Sequence, residues 1–249
     1  MPRYFIEVAY NGGSFSGFQI QENAQTIQSE IEKAFLILFR IPVQLTGSSR
    51  TDAGVHARQN YFHFDWHETF VQRKLYNLNA LLPEAIVIKR IVEVPGDAHC
   101  RFHATAREYR YYITTFKDPF LVDRSWYFPY QLNTGTLNKM AAFIKEQNEF
   151  KVFSKRNSQV KTYNCIIYES RWEHTTHMHI YHVKANRFLR GMVRGLVGTM
   201  LKVARGGMTF EDFCSLFDNQ ELSGADFSAP AKGLFLEKVD FPSEILIGE

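Results

Sequence analysis

Cysteine is scarce in this chain. Cys100, Cys165 and Cys214 are odd in number and far apart, matching neither a zinc spacing nor a disulfide framework. They read as core residues of a protein kept in a reducing cytoplasm. Long apolar runs are missing as well: none approaches the ~20 residues that span a bilayer. Met1-Pro2-Arg3-Tyr4 runs straight into a strand-like alternation and lacks the charged-then-apolar layout of a signal peptide. Neither membrane nor secretion is therefore expected. No Walker loop, Gly-x-Gly-x-x-Gly fingerprint or Gly-x-Ser-x-Gly elbow is present, which argues against a nucleotide cofactor and against serine hydrolysis. Charge of one sign does not dominate either. The net charge of +3 is too mild to argue for nucleic acid by itself. There is no low-complexity segment and no convincing internal repeat.

What is present is an ordinary globular composition, 45% hydrophobic, in 249 residues, enough for one large domain or two small ones. The 22 Phe and 12 Tyr read mostly as core, with a minority of strand tyrosines able to stack on bases. Tyr4, Ile6, Val8 and Tyr10 alternate as one face of a half-buried strand. Thr26 is an N-cap for a helix carrying Ile27, Ile31, Ala34, Phe35 and Leu38 at helical spacing. Strands follow over 43–46 and 61–64, separated by a polar loop over 47–58. A second helix over 71–82 stops before Pro83, and a strand covers 86–94. The alternation then resumes with a strand over 109–116 and a helix over 136–145. A hairpin over 165–172 and 179–184 leads to a long helix over 187–205. A shorter helix is capped by Thr209 and Asp212, and a final strand covers 234–239. These alternations predict an α+β protein of two halves with antiparallel sheets. The first half is drawn as 1–105, carrying the Asp52 loop. The second is drawn as 106–249, carrying the Tyr109 strand and the basic helix.

Three segments can carry chemistry. Arg50-Thr51-Asp52-Ala53-Gly54-Val55-His56 concentrates Arg, Thr, Asp and His in a loop between strands. Its plain reading is a turn, with Gly54 left-handed and Asp52 and Thr51 bonding to backbone. Its functional reading makes Asp52 an ionised nucleophile or base, and spacing does not choose between those roles. His56 is either an acid–base group or a holder of its own loop.

In the helix from Arg187, Arg190, Arg194, Lys202 and Arg205 fall within roughly 60° of Arg187 at 100° per residue. Gly191, Gly195 and Gly198 fall on or beside that sector. A glycine costs about 1 kcal/mol inside a helix, so something is expected to approach this backbone closely. A phosphate chain, a carboxylate or another backbone would each qualify. Arg101, Arg107 and Arg110 interleave with Tyr109 and Tyr111. This suits a base-stacking, phosphate-holding sheet as well as a sheet of solvated arginines and core tyrosines. His174, His177, His179 and His182 imitate a metal cluster. Strand alternation puts His179 and His182 on opposite faces, and no convincing ligand set follows, so no metal is expected.

Taken together, the motifs resemble the TruA-type tRNA pseudouridine synthases over nearly the whole chain. The resemblance runs through Tyr10-Asn11-Gly12, Gly17-Phe18-Gln19, Arg50 to His56 and Asn79-Ala80-Leu81-Leu82-Pro83. It continues through Ala104 to Tyr111, Met192-Val193-Arg194 and Gly233-Leu234-Phe235-Leu236. It implies two pseudo-symmetric, ferredoxin- or RRM-like α/β-sandwich halves forming a central cleft. It also implies isomerisation of uridine at positions 38, 39 and 40 of the tRNA anticodon arm, by a cytoplasmic homodimer without cofactor or metal. Asp52 matches the family's catalytic aspartate, and Tyr109 the tyrosine that packs on the target uracil. Arg194 matches the basic partner of the aspartate and Leu234 an apolar pocket wall. Arg50 matches the arginine that fills the space of the flipped nucleotide. Arg187, Arg190, Arg107 and Arg110 are the expected contacts to the tRNA backbone. The chain departs from the family pattern at Ser49, where a glycine is usual, at Phe18 in place of tryptophan, and at Glu108 in place of a basic residue. A non-catalytic RNA-binding module is a second reading. A metal-dependent hydrolase built on Asp52, His56 and the hairpin histidines is a third.

Overall fold

A computed structural model describes residues 1–155, 160–218 and 224–246. In chain order its strands are β1 (Arg3–Tyr10), β2 (Thr46–Gly47), β3 (His56–Asp65), β4 (Ile86–Val94), β5 (Ala106–Thr114), β6 (Trp126–Tyr127), β7 (Ile167–His174), β8 (Met178–Ala185) and β9 (Leu234–Asp240). Its helices are α1 (Ile27–Phe39), α2 (Arg73–Leu81), α3 (Thr134–Glu146), α4 (Met192–Ala204) and α5 (Phe210–Asp218). The chain is α+β with mostly antiparallel pairing, as its alternations predict. It divides into two compact units: Met1–Ala106 together with Phe235–Glu249, and Arg107–Leu234. Among the described residues, no helix is long and apolar enough to cross a membrane.

In the first unit the strand order is β4-β1-β3-β9, with β2 on β3. β1 runs antiparallel to both neighbours, whereas β9 lies parallel to β3, pairing His56 with Phe235 and Ala57 with Leu236. The sequence reading grouped this last strand with residues 106–249. Its pairing partner in fact lies near the start of the chain. β1 is buried on both faces, not one. Tyr4, Ile6 and Val8 face one way, and Phe5 and Glu7 are equally enclosed on the other. The second face is covered in part by Phe241, whose ring lies 5.3 Å from Phe5 and 5.0 Å from Tyr61. Glu7 is tolerated there because Arg90 donates to it at 2.7 Å and Tyr61 at 2.9 Å. Burial pushes its pKa up. The hydrogen bonds from Arg90, Tyr61 and Gln59 outweigh that and hold the carboxyl below its ordinary value.

Helix α1 starts where its cap predicts. Thr26 accepts from the Ser29 amide, and the Ser29 hydroxyl accepts in return from the Thr26 amide. The helix ends at Arg40, which takes a left-handed conformation with φ of 60°. Helix α2 is shorter than its apolar pattern suggests and buries only Leu78. Asn79 fixes it to β4 by donating to the Ile88 carbonyl and accepting from the Ile88 amide.

In the second unit β5, β8 and β7 form an antiparallel run, and β6 lies parallel to β5. Tyr111, Ile113, Tyr181, Val183 and Trp172 bury one face of it, together with Met140 and Ile144 of α3 and Leu196 and Met200 of α4. Helix α5 begins with the expected reciprocal cap between Thr209 and Asp212. Helix α4 departs from the pattern: it begins at Met192, not at Arg187. Gly191 has φ of 75°, which a right-handed helix cannot contain, so the helical turn does not extend back through Arg187 and Arg190.

Candidate active site

The loop that leads into β3 is held from behind by buried polar groups. Asn60, fully buried, donates its side-chain amide to the Ser49 carbonyl at 2.8 Å and to the Tyr10 hydroxyl at 3.1 Å. Tyr10 in turn shares a 2.8 Å hydrogen bond with the Thr51 hydroxyl. The Phe18 amide donates to the Thr51 carbonyl and the Ser48 amide to the Tyr61 carbonyl. Beyond Thr51 the chain closes a turn in which the Val55 amide donates to the Asp52 carbonyl, with Gly54 at φ of 78°. The turn expected from Asp52 and Gly54 is therefore present.

Two glycines let other parts of the unit reach this loop. A Cβ on Gly12 would fall on the Val55 carbonyl. Gly17, at φ of 105°, lies against Thr51, Asp52 and Ala53. Under this framework Ser48, Ser49, Thr51 and Val55 are buried, Asp52 is half-buried and Arg50 is exposed. The backbone is fixed on both sides of Asp52, while the two charged side chains remain at the surface end of the loop. Phe18, which stands where the family usually has tryptophan, stacks on Phe62 at 4.3 Å and packs over Gly47.

His56 holds its loop. It is buried, its Nδ1 accepts from the Gly12 amide at 3.2 Å, and its ring stacks on Phe235 at 4.5 Å. The hairpin histidines make their contacts within the second unit. His174 and His179 stack at 4.3 Å, and His182 Nε2 lies 2.9 Å from a Glu173 oxygen. His56 belongs to the first unit and these histidines to the second.

In the second unit Arg194 and Leu234 meet on one segment, 226–234, which forms a 3-10 turn over Ala231–Gly233. The Asp226 amide donates to Thr199 on α4 at 2.9 Å, and Arg194 Nε donates to the Ala229 carbonyl at 2.6 Å. Tyr111 donates its hydroxyl to the Pro230 carbonyl at 2.7 Å, and Gly233 lies under the Tyr111 ring. Burial pushes the Tyr111 phenol far up, keeping it a donor. The segment ends at Leu234, which is buried. Tyr109, two residues before Tyr111 on β5, is half-buried and meets Phe188 edge-on at 5.1 Å.

The glycine-lined helix face is filled, which corrects the sequence reading that left it open to a phosphate chain. A Cβ on Gly195 would meet the Phe227 ring, and one on Gly198 would fall on the Asp226 carbonyl. The occupant is this chain's own segment 226–227, by its backbone at Gly198 and by the Phe227 ring at Gly195. The cationic stripe is dispersed as well. Arg187 and Arg190 precede the helix, and Arg205 lies 4.0 Å over the Tyr130 ring. Arg107 donates to the Asn186 carbonyl, and Arg110 pairs with Glu108 at 3.3 Å. Arg50 and Asp52 thus belong to one unit, and Tyr109, Arg194 and Leu234 to the other.

Sequence comparison adds the decisive observation. A protein from Parabacteroides distasonis named tRNA pseudouridine synthase A is 42% identical over 250 residues, covering 98% of this chain and 98% of its own. Proteins of the same name from Porphyromonas gingivalis and Staphylococcus aureus are 41% and 35% identical, over 99% and 95% of this chain and 100% and 90% of their own. The chain belongs to the tRNA pseudouridine synthase A family. The family model described as tRNA pseudouridine synthase matches residues 147–242, which include α4 and the segment that packs on it. Membership accounts for the order of the motifs along the chain. One cluster lies outside them: His63, His99 and Cys100 come together in the first unit. Only the adjacency of His99 and Cys100 was visible in the sequence, because His63 reaches them through the pairing of strands.

Proposed function

We propose that this protein isomerises uridine to pseudouridine in the anticodon stem-loop of tRNA, at positions 38, 39 and 40, with Asp52 as the nucleophile on a flipped-out uridine. As a member of its family the chain is an isomerase acting on tRNA. The observation that carries the assignment of Asp52 is its loop. Tyr10, Asn60, Gly12 and Gly17 immobilise the backbone around Asp52, yet the Asp52 and Arg50 side chains stay accessible. A positioned nucleophile needs such a support, and a simple surface turn does not.

The reaction breaks the bond from C1′ to N1 and makes one from C1′ to C5, with the C5 proton lost to restore the ring. It is redox-neutral. The Asp52 carboxylate attacks the base or the sugar and leaves again when the new bond is made. Extracting the uridine from its stack costs a few kcal/mol, which stacking on Tyr109 partly offsets. Arg194 is assigned as the basic partner of the carboxylate. Leu234 walls the pocket, and Arg50 occupies the space that the base vacates. Residues 1–105 supply the nucleophile, and residues 106–249 supply the tyrosine and the basic helix. Arg107, Arg110, Arg187 and Arg190 contact the tRNA backbone. The enzyme works as a homodimer in the cytoplasm.

Asp52→Asn and Asp52→Ala test this reading. Both should abolish release of a C5 label from tRNA uridine and leave tRNA affinity within a few-fold. Normal label release by either variant removes Asp52 from the nucleophile's role.

A further inference from the structure

The first unit holds a side-chain cluster that the isomerisation does not use. Cys100 is fully buried in the turn that follows Pro95-Gly96, with its Sγ 3.2 Å from Nδ1 of His63 on β3 and 3.1 Å from the Thr46 carbonyl on β2. The His99 ring stands 4.5 Å from that of His63. One ligand atom from each of the three lies within 4.8 Å of the other two.

The surroundings fix the turn against the sheet. Arg3 donates to the Ala98 carbonyl at 3.1 Å, and its charge is met by both oxygens of Asp65, at 2.8 and 2.9 Å. His103 and His99 close the turn with backbone and ring contacts at 3.0 and 3.2 Å. Phe102 lies across His99 at 4.2 Å, itself largely exposed.

We propose that His63, His99 and Cys100 form a zinc site that clamps the 95–103 turn onto β3. A thiolate with two imidazoles is a donor set that suits zinc, and three protein ligands leave the fourth position for water. With bonds of about 2.0–2.3 Å, ligand atoms of a tetrahedral zinc stand roughly 3.5 Å apart. The His63–Cys100 pair is already close to that spacing, so His99 is the ligand that must move, by about an ångström. It is held lightly. Its Nδ1 accepts from the Arg101 and Phe102 amides at 3.2 and 3.4 Å, both long for such bonds. Coordination through Nε2 puts the ring proton on Nδ1 and releases those two contacts, so binding reshapes the turn. The Cys100 thiol gives its proton to solvent as the Zn–S bond forms, and no electron is transferred.

The proposal is independent of the reaction assigned to Asp52, and its test does not read activity. The full chain is stripped with a chelator, incubated with zinc alone, dialysed and analysed for metal. A parallel sample takes cobalt(II), whose thiolate charge-transfer absorption reports a Cys ligand. Wild type should retain one zinc per chain, show the absorption and melt higher with zinc than without. Cys100→Ala should lose all three responses. His99→Gln, at a partly exposed position, should lose zinc retention at the same free zinc. Wild type that retains no zinc after dialysis overturns the proposal. So does either variant that retains it as wild type does.

Discussion

Gly198→Ala distinguishes a helix face built to receive this chain's own backbone from one left open for a ligand. In a helix interior the change gains about 1 kcal/mol of propensity. Against that, the new methyl falls on the Asp226 carbonyl oxygen, with the carbonyl carbon at 3.1 Å. The obstacle is backbone, and it is pinned on both sides. The Asp226 amide is bonded to Thr199 at 2.9 Å, Ala229 is bonded to Arg194 at 2.6 Å, and Pro230 to Tyr111 at 2.7 Å. Pushing the segment away loosens one or two of these bonds, each worth about 1 kcal/mol, and overpacks the interface by about 1–3 kcal/mol. The net expectation is a loss of about 1–4 kcal/mol. For a chain of this length that is a fall in Tm of roughly 2–16 °C. Thermal and urea unfolding of the purified variant measure it. Gly96→Ala is the control: nothing lies within 4 Å of its Cβ, so it should stay within about 1 kcal/mol of wild type, on the favourable side. If Gly198→Ala is as stable as Gly96→Ala, segment 226–229 does not set the glycine pattern. The face would then be free for an external backbone or phosphate.

Other perturbations follow from the same contacts. Gly12→Ala places a methyl on the Val55 carbonyl, so it should lower kcat for label release at least tenfold by displacing the Asp52 loop, with tRNA affinity nearly unchanged by filter binding. Unchanged kcat would mean that the loop is not held from Gly12. Glu7 contributes to stability as a carboxylate whose folded pKa lies below its ordinary value of 4.5. That contribution is present above pH 4.5 and is lost as pH falls through the folded pKa. Glu7→Gln should therefore cost about 1–3 kcal/mol in urea unfolding at pH 7, and the gap to wild type should narrow towards pH 3. A gap that stays constant with pH would refute the ionised pairing with Arg90.

The sequence exposed those elements whose causes are local. Thr26 with its apolar stripe marked α1, Thr209 and Asp212 marked α5, and alternation marked β4, β5 and β8. It failed where the cause lies far along the chain. His56 and Ala57 look like loop because on one side their partners, Phe235 and Leu236, come from the other end, and on the other side Ala57 pairs with Tyr10 across a register shift. The start of α4 was misplaced because a periodic charge pattern outweighed one glycine, and Gly191 stops the helix by its φ and not by its composition. Gly195 and Gly198 correctly signalled close approach, but periodicity could not say that the visitor was Phe227 and Asp226. The candidate site was legible chiefly as a series of family motifs. Its buried support, Asn60 and Tyr10 beneath Ser49 and Thr51, had no signal in spacing because it acts across strands. The cluster of His63 with His99 and Cys100 was hidden for the same reason.

The parallel pairing of β9 with β3 sets an order of events during synthesis. The second unit is interposed in sequence within the first, so β3 leaves the ribosome long before the strand that completes its edge. At a translation rate of 5–20 residues per second, the interval is on the order of ten seconds. Throughout it, His56 lacks the Phe235 ring against which it stacks. The loop carrying Asp52 thus has its N-terminal supports, Tyr10, Gly12, Gly17 and Asn60, from the start, and its His56 end gains its last packing partner only after the intervening unit has been made.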